Sequence, residues 1–189
     1  MRALATLVLA LTLAAGPAAA QDRSDNAATR DRLFAELKAA PTQAQGRAAE
    51  DAIWRMWMAQ APSEAIRRAV ADAMAARESY AFDRALDLLN GVVDAAPGYA
   101  EGWNQRAFIR FLKGNHDEAL EDIDRALALE PKHFGALSGK AIILMGQGRV
   151  RLAQQALRQA VEIHPWLKEH SLLLPEDADA PPPADGEDI

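Results

Sequence analysis

The chain has 189 residues, with 21 Lys and Arg against 27 Asp and Glu, no cysteine, and hydrophobic residues making up 50% of the total. The lack of cysteine excludes a disulfide scaffold, a thiolate metal site and a cysteine nucleophile. The net charge of −6 sits at one end: residues 175–189 hold Glu176, Asp177, Asp179, Asp185, Glu187 and Asp188 with no base, and residues 1–174 balance at 21 against 21. A neutral body with an acidic tail offers no clustered basic face, so no nucleic-acid partner is expected.

Residues 1–20 read as an export signal. Met1 and Arg2 precede an uncharged apolar run at 3–15, long enough for a signal-peptide core and too short to span a bilayer. Gly16 and Pro17 break the run, and Ala18, Ala19 and Ala20 supply the small residues a signal peptidase needs, which places cleavage between Ala20 and Gln21. No later stretch has the apolar length of a transmembrane helix, so the mature chain is expected in the periplasm or outside the cell. Residues 21–28 are expected to be flexible.

Residues 29–62 suggest a degenerate helical hairpin. Leu33, Phe34 and Leu37 fall at helical spacing, a turn follows near Pro41, and a long helix runs from about Ala44 to Gln60. Ile53, Trp54, Trp57 and Met58 form a large apolar face on it, continued by Ala61 and ended by Pro62 and Ser63.

From there a period of 34 residues governs the chain. Pro97, Pro131 and Pro165 keep that spacing, as do Ala73, Ala107 and Ala141, and Ala85, Ala119 and Ala153 with Leu89, Ile123 and Leu157 four residues on. Alanine at these points lets two antiparallel helices approach closely, and each proline ends a second helix because it lacks an amide hydrogen. Lys113-Gly114-Asn115 and Gly146-Gln147-Gly148 mark the turns within two of the units, with Asp117 as a helix cap. Tyr80 stands where the first unit should have that glycine.

Read as one unit, Trp103, Ala107, Ala119, Ile123, Ala126 and Pro131 resemble the tetratricopeptide repeat pattern. The resemblance implies an all-α solenoid of helical hairpins, with full repeats at 66–99, 100–133 and 134–167, a short C-terminal capping helix within 66–174, and a disordered Pro-rich acidic tail at 175–189. Trp54 and Trp57 then read either as a ligand-binding aromatic patch or, preferably, as the layer covering the open end of the stack. At the other end Trp166, Leu167, Leu172, Leu173 and Leu174 suggest the closing helix. The segments Ala52-Ile53-Trp54, Ala100 to Asn104 and His133 to Gly139 are similar to a group of exported alphaproteobacterial tetratricopeptide proteins, a likeness that implies fold and export but no activity.

In the family the first helix of each unit lines a concave surface. Carried over position by position, that surface would include Val70, Met74 and Arg77, then Asn104, Phe108 and Phe111, then Ser138, Ile142 and Met145. Its centre is apolar, with Asn104 and Ser138 as polar points, which suits a protein or peptide segment. The chain's own N-terminal helix is the alternative cover. The carboxylate clamp that some members use for chaperone tails is not kept: Val70, Met74, Gln105, Gly135 and Gly139 stand at its lysine, asparagine and arginine positions. Gly135 and Gly139 each cost a helix roughly 1 kcal/mol, which calls for a close approach by a neighbouring helix or by a ligand backbone.

Asp72, Arg106 and Lys140 share a column, and an inter-repeat pair between Asp72 and Arg106 is expected. Glu118, Glu121 and Asp122 read as a solvated outer face. The four histidines show no metal-ligand spacing, and no nucleophile elbow, phosphate loop or dinucleotide fingerprint occurs, so no metal, no cofactor and no enzyme activity are expected. The working expectation is a periplasmic scaffold that binds a partner in its groove. The alternative is a subunit that self-associates through a terminal repeat face or through Trp54 and Trp57.

Overall fold

The computed structural model describes residues 17–175, with side chains from residue 26 onward. The apolar run at 3–15 and the acidic tail beyond Pro175 lie outside the described residues. Eight α-helices and one 3-10 helix make up the described chain: α1 (Pro17–Ala39), α2 (Gln43–Ala59), α3 (Glu64–Glu78), α4 (Phe82–Ala95), α5 (Ala100–Leu112), α6 (His116–Leu129), α7 (Phe134–Gly146), α8 (Val150–Ile163) and the 3-10 turn Lys168–Leu172. Among the described residues no helix is long and apolar enough to cross a membrane.

α3 to α8 form three stacked hairpins. The alanine columns sit where the paired helices meet: Ala73, Ala107 and Ala141 are buried, as are Ala85, Ala119 and Ala153 with Leu89, Ile123 and Leu157. The three internal turns are copies of one another at 34-residue spacing. Ala81 N donates to Ala76 O, Asn115 N to Arg110 O and Arg149 N to Leu144 O at 2.8–2.9 Å, the long bond of a Schellman ending.

That ending needs a left-handed residue just before the donor. Gly114 (φ 80°) and Gly148 (φ 72°) supply it without strain, while in the first unit Tyr80 is forced to φ 60°. A side chain there costs about 1–2 kcal/mol, and Tyr80 is 81% exposed, so its ring recovers little beyond an edge contact with Phe82. Tyr80→Gly is therefore expected to stabilise the protein by about 1 kcal/mol, read as a higher urea midpoint with an unchanged slope. A midpoint at or below that of the parent would contradict the assignment of strain to this residue.

Polar ties join the units in register. Lys113 pairs with Asp83, and one repeat later Gln147 donates to Asp117 at 3.1 Å. Asp117 thus serves the neighbouring unit, and the cap position of α6 belongs to Asn115, which makes no side-chain cap bond.

Two further expectations are corrected. Arg106 does not reach Asp72. Its guanidinium grips Asp122 in two bonds of 2.9 and 2.7 Å and donates to Asn90 at 3.1 Å, because the antiparallel partner helix α6 lies nearer than the preceding first helix. Asp122 is correspondingly not on a solvated face: its side chain is 2% exposed and also meets Arg110 at 2.9 Å.

The N-terminal hairpin holds the largest departure. Residues 21–28 continue α1, since nothing between Ala18 and Ala39 breaks a helix. Thr42 and Ser63 cap α2 and α3 through their hydroxyls. The hairpin does not lie as a layer over the open end of the first repeat. α2 instead runs across the corners where one unit passes to the next, and these corners recur at Tyr99, His133 and Leu167.

Met58 O accepts from the Tyr99 hydroxyl at 3.5 Å, and Trp57 stacks on His133 with ring centroids 4.0 Å apart. Glu50 lies 3.2 Å from His164, and Gly46 lies under Trp166. From Met58 to Gly46 a helix rises about 18 Å, enough to pass from the first corner to the last. Leu33, Phe34, Leu37, Ile53 and Trp57 share one core with Phe134, Leu137, Leu157 and Leu167.

The expected cap therefore closes on the third unit, whose Phe134, Leu137, Leu157 and Leu167 share its core. Trp166 Nε1 donates to Ala40 O at 2.9 Å, and Leu172 and Leu174 bond through their main chain to Gln154, which completes the closing turn.

Two carboxylates strengthen this closure. Arg30 Nε donates to Glu130 Oε2 at 2.9 Å. Burial pushes the Glu130 carboxyl up, but the bonded Arg30 guanidinium and the Lys132 amide outweigh it and hold the group below the usual carboxylate range. The His164 imidazole does the same for Glu50 against the opposing effect of burial.

Candidate functional site

A cavity of about 420 Å³ opens on the surface formed by the first helices of the three units. Met74 and Arg77 of α3, Asn104, Phe108 and Phe111 of α5, and Ser138 and Ile142 of α7 line it. Two of the expected groove residues do not. Val70 is fully buried in the core of the first unit, and Met145, half-buried near the end of α7, lies outside the cavity lining.

Residues outside the first helices close the groove into a pocket. Glu50 and Trp54 of α2 form one wall, and Leu167, Lys168 and Glu169 of the closing turn form another. The chain thus covers part of its own groove, with α2 as the cover. Trp54 belongs to the apolar stripe of α2, and the sequence signal for its location is Gly135. A Cβ built on that glycine would stand 3.0 Å from the Trp54 ring, so the indole occupies the space a side chain would fill. Gly139 is different. Its added Cβ would meet only Ile123 Cδ1 at 3.7 Å, an ordinary contact, so helix packing does not account for glycine there.

The floor is polar underneath and apolar above. Glu101 is 1% exposed and accepts from Gln105, from Asn104 at 3.3 Å and from His133 Nε2 at 2.9 Å. His133 Nδ1 accepts from the Ala136 amide at 3.2 Å, which caps α7 and assigns the ring proton to the nitrogen facing Glu101. This network holds Asn104 and Gln105 in place from below. Phe108 is 43% exposed and lies parallel to Phe111, with centroids 6.4 Å apart. Arg77 sits over the Phe108 ring at 5.3 Å and reaches Gln105 Oε1 at 3.5 Å.

Trp57 is 1% exposed and Trp54 is enclosed among Trp57, His133 and Phe134. Trp57 therefore offers no free face for self-association, and the accessible part of half-buried Trp54 lines the pocket.

The sequence model of the tetratricopeptide repeat family matches residues 100–133, the unit formed by α5 and α6. That unit is a tetratricopeptide repeat by its sequence. A TPR repeat-containing protein of Rhizobium etli is 43% identical over 81 residues, which are 43% of this chain and 40% of that protein. A tetratricopeptide repeat protein 36 homologue of Nematostella vectensis is 40% identical over 60 residues, 32% of this chain and 33% of its own length. The chain spans well under half the length of these curated relatives.

Among solved structures, the first tetratricopeptide domain of Spaghetti (RPAP3) bound to an HSP90 peptide superposes with a TM-score of 0.56 at 19% identity. It covers 58% of this chain and 87% of its own. The Sgt2 tetratricopeptide domain from Aspergillus fumigatus gives 0.53 at 23% identity, covering 68% and 91%. These likenesses establish the solenoid of hairpins as the fold.

Proposed function

We propose that this protein is an exported, non-enzymatic tetratricopeptide scaffold that holds a segment of a partner protein in the pocket on its concave face. Phe108 carries the reading: it is 43% exposed inside a concavity, beside Phe111 and Ile142, where a partner's apolar side chain would remove it from water. Each Å² so buried contributes roughly 25 cal/mol. The Spaghetti domain with this fold is bound to an HSP90 peptide. Here Val70 is buried and Gly135 is covered by Trp54, so the peptide chemistry differs from that of the chaperone-tail readers.

Export rests on the basic start, the apolar run at 3–15 and the small residues before Gln21, and it places the partner in the periplasm or outside the cell. The most enzyme-like pair among the described residues, Glu101 with His133, is sealed beneath Gln105 and Trp57, with exposures of 1% and 0%. A substrate has no path to it, and its bonds are those of a helix cap and a floor brace.

The test is chemical crosslinking in a periplasmic extract with the parent protein and with Phe108→Ala combined with Phe111→Ser. A specific partner is expected to be lost from the double variant while its helical circular dichroism and monomeric sedimentation match the parent. Equal capture by both proteins, or capture only of further copies of the chain, would overturn the reading.

A further inference from the structure

Each junction between units is tied at two places that recur every 34 residues. At the first, Lys113 of α5 pairs with Asp83 of α4, and Gln147 of α7 donates to Asp117 of α6 at 3.1 Å. At the second, Arg106 of α5 donates to Asn90 of α4 at 3.1 Å, and Lys140 of α7 donates to Asp124 of α6 at 2.7 Å. The second helix of a unit thus supplies the acceptors, and the first helix of the next unit supplies the donors. α8 breaks this pattern, because the same two places fall on Arg151 and Arg158. The last face of the stack therefore offers donors and positive charge. A further unit like those already stacked would meet it with like charge, so whatever covers it must bring acceptors.

The chain itself begins that cover. The closing turn Lys168–Leu172 starts one period after α7, and Leu174 stands one period after Lys140. Leu174 answers the reversed polarity with its main-chain oxygen, which accepts from Arg158 at 3.2 Å. Buried Gln154, where α4 and α6 have Leu86 and Leu120, donates to Leu172 O at 3.0 Å and accepts from the Leu174 amide at 2.9 Å. The chain is thus fastened to α8 beside Arg158. Arg151, two turns earlier, is exposed and pairs with no carboxylate among the described residues. Arg149 adds a third cation at this end of the helix, bonded only to the neutral Gln147 side chain at 3.2 Å. The single acid of α8, Glu162, lies at the opposite end, 3.9 Å from Lys38.

We infer that the acidic segment 176–189 lies back along this open face of α8, with Glu176, Asp177 and Asp179 against Arg158 and Arg151, in the place of a fourth first helix. Charge complementarity selects the occupant: the segment has six acids and no base, and it follows directly from the fastened Leu174. Its length fits as well. Seven residues of helix separate Arg151 from Arg158 by about 10 Å, which three or four extended residues span, so the acids at 176 to 179 reach both. Pro175 and Pro181 to Pro183 favour an extended course over a helix. Exposed ion pairs are individually weak, but attachment at Leu174 holds these acids near the arginines at an effective concentration on the order of millimolar. The acidic segment then caps the stack, as terminal repeats of solenoids require, whatever the pocket on the concave face binds.

The test uses the cysteine-free parent with Ala184→Cys carrying one nitroxide label. Amide NMR signals of Val150 to Gln155 are expected to lose at least about half their intensity relative to the reduced label, and to regain it in about 1 M salt, where the screening length falls to about 3 Å. Arg151→Glu with Arg158→Glu is expected to restore the signals at low salt, and so is Glu176→Gln with Asp177→Asn and Asp179→Asn. Arg151→Glu alone, at an exposed position, serves as the second variant should the double replacement disturb α8.

Undiminished α8 signals in the labelled parent would overturn the inference. So would equal broadening in the parent and in folded Arg151→Glu, or broadening centred on any surface other than α8. Mixing isotope-labelled protein without the nitroxide and nitroxide-labelled protein without the isotope detects contact between copies. Broadening of α8 in that mixture as strong as within one chain would assign the face to a second copy and likewise overturn the inference.

Discussion

Trp57→Ala is expected to cost about 3–5 kcal/mol of folding stability, the usual loss when a fully buried aromatic ring is truncated. Trp57 is 1% exposed, stacks on His133 at 4.0 Å, and meets Trp54 edge-on at 5.1 Å and Phe134 at 5.0 Å. Its loss leaves a cavity at the point where α2 crosses from the second unit to the third. The effect extends to the pocket, because Trp54 is held as a wall by the same cluster. Urea unfolding measures the cost, and limited proteolysis of the hairpin shows where it falls: the α1–α2 segment is expected to become the first site of cleavage. A loss below about 1 kcal/mol would mean that the hairpin is not part of the cooperative core.

Asp122→Ala is expected to be similarly severe, again about 3–5 kcal/mol, for an electrostatic reason. The Asp122 side chain is 2% exposed and faces two guanidiniums, Arg106 at 12% and Arg110 at 20% exposure. Removing the carboxylate leaves two positive charges facing each other with most of their water already excluded. The units on either side carry Leu88 and Ala156 at this position, so the hairpin geometry accepts an apolar residue there. Asp122→Leu combined with Arg106→Leu and Arg110→Leu is therefore expected to recover most of the loss, since replacing a whole buried ionic cluster is often neutral. A single Asp122→Ala variant as stable as the parent would show that the cluster is solvated in solution.

The effects differ in what they do to binding. Trp57 supports a pocket wall directly, so its truncation is expected to weaken peptide binding along with stability. Asp122 braces α5 against α6 on the other side of the helix from Phe108, and its loss acts on the pocket only through the position of α5. Comparing the two variants at matched fraction folded separates wall from brace.

The 34-residue period was legible because repeated packing demands repeated residues. A close helix pair needs alanine at every crossing, and the same Schellman ending needs a left-handed residue at every turn, which even exposed the strain at Tyr80. Most of the concave lining followed from the same register, since residues of one helix face recur at known steps. Val70 fell outside because it turns into the first unit's own core, where α2 residues such as Met58 also pack, and Met145 stands near the end of α7 beyond the cavity lining.

What repeats do not encode is where non-repeated parts dock. Thr42, Ser63 and the apolar stripe of α2 determined the second helix of the hairpin by local capping and amphipathicity. Nothing local says which face of the stack that stripe meets. That was decided by the row of corners at Tyr99, His133 and Leu167, which exists only after three units have stacked and which matches α2 in length and chemistry. The buried Asp122 cluster likewise depends on the antiparallel approach of α5 and α6, a distance set by alanines elsewhere in the helices. Sequence alone therefore determined the repeat, its turns and its helices, because those rest on interactions within about one unit. Tertiary structure decided the closed pocket, because its walls come from residues more than a hundred positions apart, brought together only by burial of the hairpin's apolar face.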